Sequence, residues 1–86
     1  MPEISRFYGI IVRMYFDDHP PPHFHAFYGG HEVLIDFRRV SVYAGRLPPR
    51  ALGLVMEWTV LHQDDLLRLW DAARRQEALW RIDPLP

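Results

Sequence analysis

Two adjacent glycines, Gly29-Gly30, stand between two runs of aromatic and apolar residues, and they fix more of this chain than any other feature. A two-residue turn between paired strands needs positive φ, which glycine adopts without steric cost. Placing the turn there sets a register in which Tyr28 faces His31, Phe27 faces Glu32, Ala26 faces Val33, His25 faces Leu34, Phe24 faces Ile35 and His23 faces Asp36. Because strand side chains alternate, Phe24, Ala26, Tyr28, Val33, Ile35 and Phe37 form one face. His23, His25, Phe27, Glu32, Leu34 and Asp36 form the other. The first face reads as core and the second as a solvent-facing candidate site.

Around this hairpin the chain changes texture. From about Ile4 to Ala44 it is rich in β-branched and aromatic residues, whereas Pro48 to Arg75 carries Leu, Ala, Arg, Glu and Trp at helical spacing. The expected fold is therefore α+β, an antiparallel sheet of three to five strands in the N-terminal half with two helices packed on one face. With 86 residues the chain forms a single domain over 1–86: strands over about 4–45, helices over about 48–75 and a tail over 76–86. Phe7 to Phe16 reads as one long first strand with Gly9 at a bulge, and Val40 to Ala44 as a further strand closed by Gly45. Pro48-Pro49 opens the first helix. Its apolar residues, Leu52, Val55, Met56 and Val60 on one stripe and Leu54, Trp58 and Leu61 on another, cover more than half its circumference and predict burial. Asp64 and Asp65 suit the start of the second helix after a break near His62-Gln63, with Leu66, Leu69, Trp70 and Ala73 inward. Leu79 to Ile82 is a candidate edge strand before Pro84.

There is no cysteine, which excludes disulfides, thiolate zinc sites and a cysteine nucleophile and agrees with a reducing cytoplasmic setting. No apolar run reaches the roughly 18 residues of a membrane helix, and the start of the chain lacks a signal-peptide pattern. All ten basic residues are arginine and the net charge is -1, so contact with RNA would need a local patch rather than a global field.

Four of the five histidines fall between His19 and His31, within or beside Asp17-Asp18-His19-Pro20-Pro21-Pro22-His23-Phe24-His25. His23 and His25 share a strand face, so their rings can converge on one phosphate or one metal ion. Asp36 opposite His23 can orient its ring or add a third ligand, and the proline run presents Asp18, His19 and His23 stiffly. With Arg13 to neutralise phosphate charge, the set amounts to a general acid, a general base and a cation for metal-free phosphodiester cleavage. Catalytic candidates are therefore His23, His25, Asp36, Arg13, His19 and Asp18. No cofactor is required by this reading, and a metal would take His23, His25 and Asp36. Structural histidines, or a non-catalytic domain binding through the polar face or an unpaired strand edge, fit the same residues. Glu57 reads as a buried partner for an arginine and His62 as a helix-end cap.

The stretches Ile4-Ser5-Arg6-Phe7-Tyr8-Gly9-Ile10, Ile11-Val12-Arg13-Met14-Tyr15, Asp18-His19 with Pro21-Pro22-His23-Phe24-His25, Tyr28-Gly29-Gly30, Leu47-Pro48, Arg50-Ala51-Leu52 and Glu57-Trp58 before His62 together resemble the family of domain of unknown function 4160. The resemblance spans nearly the whole chain and is most specific at the histidine–proline stretch. It implies a small bacterial protein encoded beside another small protein, in an arrangement like that of toxin–antitoxin modules, with this family supplying the toxin. The partner implied is that neighbouring gene product; joined to the paired histidines, this toxin role makes a metal-independent ribonuclease the activity expected.

Overall fold

The computed structural model describes residues 2–86. Five strands, β1 (Glu3–Phe7), β2 (Ile10–Arg13), β3 (His23–Tyr28), β4 (His31–Asp36) and β5 (Ser41–Gly45), precede two helices, α1 (Pro49–Leu61) and α2 (Gln63–Arg74). The strands form one antiparallel meander in the order β1-β2-β3-β4-β5. The α+β fold expected from the sequence is the fold observed.

The β3–β4 pairing has the register set by Gly29-Gly30, from His23 opposite Asp36 to Tyr28 opposite His31. Gly29 has φ +57° and Gly30 does not lie in the positive region, as in a type II′ turn. The long first strand is corrected to a hairpin: Tyr8 (φ 50°) and Gly9 (φ 80°) reverse the chain, so that Phe7 pairs with Ile10. The ring of Tyr28 lies beside Gly9 at the distance of ordinary contact with an added Cβ, and Tyr28 stays partly exposed instead of joining the core. Between β4 and β5 the register slips, Leu34 facing Ala44 and Ile35 facing Val42, which leaves Tyr43 as the extra residue of a bulge.

Ile4, Ile10, Val12, Phe24, Ala26, Val33 and Ile35 are fully buried on the inner face. Trp58 of α1 seals this layer, its ring 5.5 Å from those of both Phe7 and Phe24. α1 buries only Ala51, Val55, Trp58 and Thr59, while Val60 and Leu61 are exposed. The expectation of burial round most of α1 is met only in part: Leu52, Leu54 and Met56 are half-buried against the core, and the last turn, with Val60 and Leu61, lies open. Glu57 is also exposed rather than a buried ion-pair partner. α2 buries Leu66, Leu69, Trp70, Ala72 and Ala73, with Asp64 and Asp65 in its first turn.

The tail forms no strand. Its contact with β1 is one backbone bond, Ile82 N–H to the Ile4 carbonyl at 2.7 Å, reinforced by Trp58 Nε1 donating to Asp83 O at 2.8 Å and Tyr8 Oη donating to Pro86 O at 2.8 Å. Pro84 and Pro86 lack the donors a ladder would need, so the tail is held instead by the Trp58 and Tyr8 side chains and by Arg81 on Glu3 of β1.

Candidate functional site

The segment between β2 and β3 runs through Asp17 and Asp18 and the three prolines, and brings Asp18 back over the start of β3. Asp17 takes φ +58°, a conformation aspartate tolerates better than most residues. Gln76 donates to its carboxylate at 2.7 Å, tying this loop to the end of α2. Asp18 Oδ2 lies 3.0 Å from His23 Nε2 and 3.2 Å from His25 Nε2. Its other oxygen accepts the His19 backbone N–H at 3.0 Å.

The far sides of both rings are fixed. His23 Nδ1 lies 2.8 Å from the Pro21 carbonyl, and since a carbonyl only accepts, that nitrogen carries a proton. His25 Nδ1 donates in the same way to the Glu32 carboxylate at 2.8 Å. The edge of Tyr15 packs on His25, ring centroids 4.5 Å apart. With Nδ1 committed as donor on both rings, each Nε2 aims at Asp18 Oδ2. The ligand atoms of Asp18, His23 and His25 all lie within 4.8 Å of one another. Partial burial pushes the Asp18 carboxyl up, but the hydrogen bond from His25, that from the His19 amide and the nearby imidazoles outweigh it, leaving the group below its ordinary range.

The two rings differ in access. His25 keeps 15% of its side-chain surface, whereas His23 keeps 3%. Tyr43 and Trp70 lie 5.3 and 5.5 Å from the His23 ring, centroid to centroid, so α2 and the bulge in β5 close over it. The expected open polar face is therefore half covered. Asp18 also lines a cleft of about 210 Å³ with Asp17, His19, Pro20 and Arg74.

The other sequence candidates lie apart from this cluster. Asp36 sits opposite His23 in the ladder, yet its Oδ1 accepts the backbone N–H groups of Arg38 (3.0 Å) and Arg39 (3.1 Å) and shapes the β4–β5 turn. Arg13 stands opposite His25 with its guanidinium over the Phe27 ring at 5.2 Å, and its buried Nε has no hydrogen-bond partner. The His19 backbone caps Asp18 while its residue is exposed. His62 joins the two helices through its backbone, with no side-chain cap bond. Glu32, which the register sets on the same face as His25, one strand over and two positions along, carries no motif signal of its own and joins the site through its bond to His25.

No curated protein and no solved structure matches the chain. The family described as Domain of unknown function (DUF4160) matches residues 9–71. No helix among the described residues is long and apolar enough to cross a membrane. The matched span runs from the β1–β2 turn into α2, takes in Asp18, His23, His25 and Glu32, and covers well over half of the sequence: the chain belongs to the DUF4160 family.

Proposed function

We propose that this domain binds a divalent transition-metal ion, of the zinc class, through Asp18 Oδ2, His23 Nε2 and His25 Nε2. One observation carries the reading: both rings spend Nδ1–H on an acceptor, Pro21 O and Glu32 Oε2, while both Nε2 atoms face one carboxylate oxygen. Three electron-pair donors meeting at a point require positive charge there, either a proton on each imidazole or one cation shared by all three. A carbonyl and a carboxylate behind the rings are the usual outer partners of metal-bound histidine. The spacing fits as well. Ligand atoms about 2.0–2.1 Å from one ion stand about 2.8–3.4 Å apart at octahedral to tetrahedral angles, and the two distances to Asp18 are 3.0 and 3.2 Å. Two nitrogens and one carboxylate oxygen suit zinc or ferrous iron better than calcium or magnesium. Three protein ligands leave a coordination position for a small molecule, the pattern of working rather than purely structural sites.

The test is metal analysis of protein purified without a histidine tag, with cobalt(II) absorption as the readout of coordination. The expected result is one ion per chain, lost in His23→Ala, His25→Ala and Asp18→Asn, and bound about 10–100-fold more weakly in Glu32→Gln. Asp36→Asn should leave binding intact. Failure of the folded protein to take up one equivalent of zinc or cobalt would sink the reading. The metal-free alternative, a toxin-like ribonuclease with His23 and His25 as acid and base, would then draw on Arg13, which stands opposite His25 in the ladder and whose buried Nε has no partner. Inducible expression with and without the neighbouring gene, followed by growth and total RNA, tests that alternative; intact RNA and normal growth would end it.

A further inference from the structure

The two edges of the sheet are treated differently. The chain's own tail docks along β1, Ile82 N–H on the Ile4 carbonyl and Arg81 on Glu3, and is held further by Trp58 of α1 and Tyr8 of the β1–β2 turn. β5 pairs with β4 alone, and no backbone or side-chain group among the described residues bonds to its outer edge. All five of its residues, Ser41 to Gly45, are exposed. Natural edge strands are normally blunted by charge, proline or a covering segment. Apart from the bulge at Tyr43, this strand has none of these.

Charge frames the open edge. Arg38 and Arg39 precede β5 and Arg46 follows it, and none of the three has a carboxylate within ion-pair distance among the described residues; Arg6, Arg68, Arg75 and Arg81 are paired, whereas Arg13, Arg50 and Arg74 are not. Half of the unpaired arginines thus stand at the two ends of one strand. A cavity of about 590 Å³ adjoins the edge, lined by Pro21, Pro22, Arg38, Arg39, Val42 and Tyr43 among others. Val42 and Tyr43 are half-exposed there, so a side chain entering the cavity meets apolar surface.

We infer that β5 docks an extended, acidic segment of a partner protein by strand addition, with backbone hydrogen bonds along Ser41–Gly45 and carboxylates on Arg38, Arg39 and Arg46. Main-chain bonds supply the affinity in this mode, and flanking charges and a side-chain pocket supply the choice of partner. A second copy of this chain is the wrong partner. Pairing β5 with β5 sets Arg46 against Arg38 and Arg39 when antiparallel, and like against like when parallel.

The probe is a blocked synthetic octapeptide with two acidic residues at each end and alternating valine and threonine between them, titrated into the ¹⁵N-labelled chain. Shift changes and slowed amide exchange are expected at Ser41–Gly45. Binding should weaken at least about tenfold when lysines replace the acidic residues, when alternate peptide amides are N-methylated, and in the folded Arg39→Glu/Arg46→Glu variant. Absence of shifts at millimolar peptide, shifts mapping away from β5, equal binding by the N-methylated peptide, or self-association of the chain through this edge would each overturn the inference.

Discussion

Gly45 and Gly53 look interchangeable in the sequence, and the structure gives them opposite roles. Gly45 has φ +75°, and a Cβ built on it falls 2.3 Å from the Glu32 carbonyl oxygen, a backbone atom that cannot step aside. Gly53 sits exposed inside α1 with open space where a side chain would go. Gly45→Ala is expected to cost more than about 2 kcal/mol, since it adds a steric clash to backbone strain worth about 1–3 kcal/mol. Gly53→Ala should stabilise by about 0.5–1 kcal/mol, the usual difference between the two residues within a helix. Urea unfolding of the two variants should move the midpoint in opposite directions, and equal shifts would refute the assignment. The histidine cluster shows the same limit on reading single residues. Alternation along β3 was enough to place His23 and His25 on one face. Asp36 was the expected third group because the ladder sets it opposite His23, but its short side chain is spent on two turn amides. Asp18 takes that place from a loop, where no strand period predicts direction.

At the scale of elements, glycine chemistry was legible where it was doubled and obscure where it was not. Gly29-Gly30 gave the β3–β4 register residue by residue. The β1–β2 turn was hidden because Tyr8, a bulky residue rare at positive φ, occupies a position where glycine or asparagine normally signals reversal. The tail was equally hard to read, since it is held by one backbone bond and several long side chains. Among these, Glu3 receives Arg6 at 2.7 Å and Arg81 at 2.9 Å, and hydrogen bonding to Arg6 and then Arg81 lowers its carboxyl from 4.5 to about 2. A carboxyl depressed in the folded state helps hold the fold above its unfolded value and loses that contribution as pH falls toward the folded one. The clamp should therefore loosen between about pH 4.5 and 2. Exchange of the Ile82 amide, normalised for intrinsic rate, should accelerate across that window in the native chain but not in Glu3→Gln. A flat profile in the native chain would show that Arg81 does not anchor the tail.

Taken whole, the molecule has one core, in which Trp58 packs on Phe24 and Trp70 on Phe37. An ion held between the β2–β3 loop and β3 would link two parts of the chain that the core holds only from one side. Zinc at a hundred times its dissociation constant should add about 2.7 kcal/mol of stability. For a domain of this size that is a rise in melting temperature of roughly 10 °C or more. Asp18→Asn should abolish the rise and also lower the metal-free melting temperature above pH 6, since it removes a carboxylate that the folded state holds below its ordinary range; an unaltered response to zinc in that variant would rule out Asp18 as a ligand.

The tail's hold on β1 sets the direction of growth. A ribbon covered along one margin lengthens only at the other. Guests therefore arrive from a single side, and copies of this chain are not laid margin to margin into a repeating array.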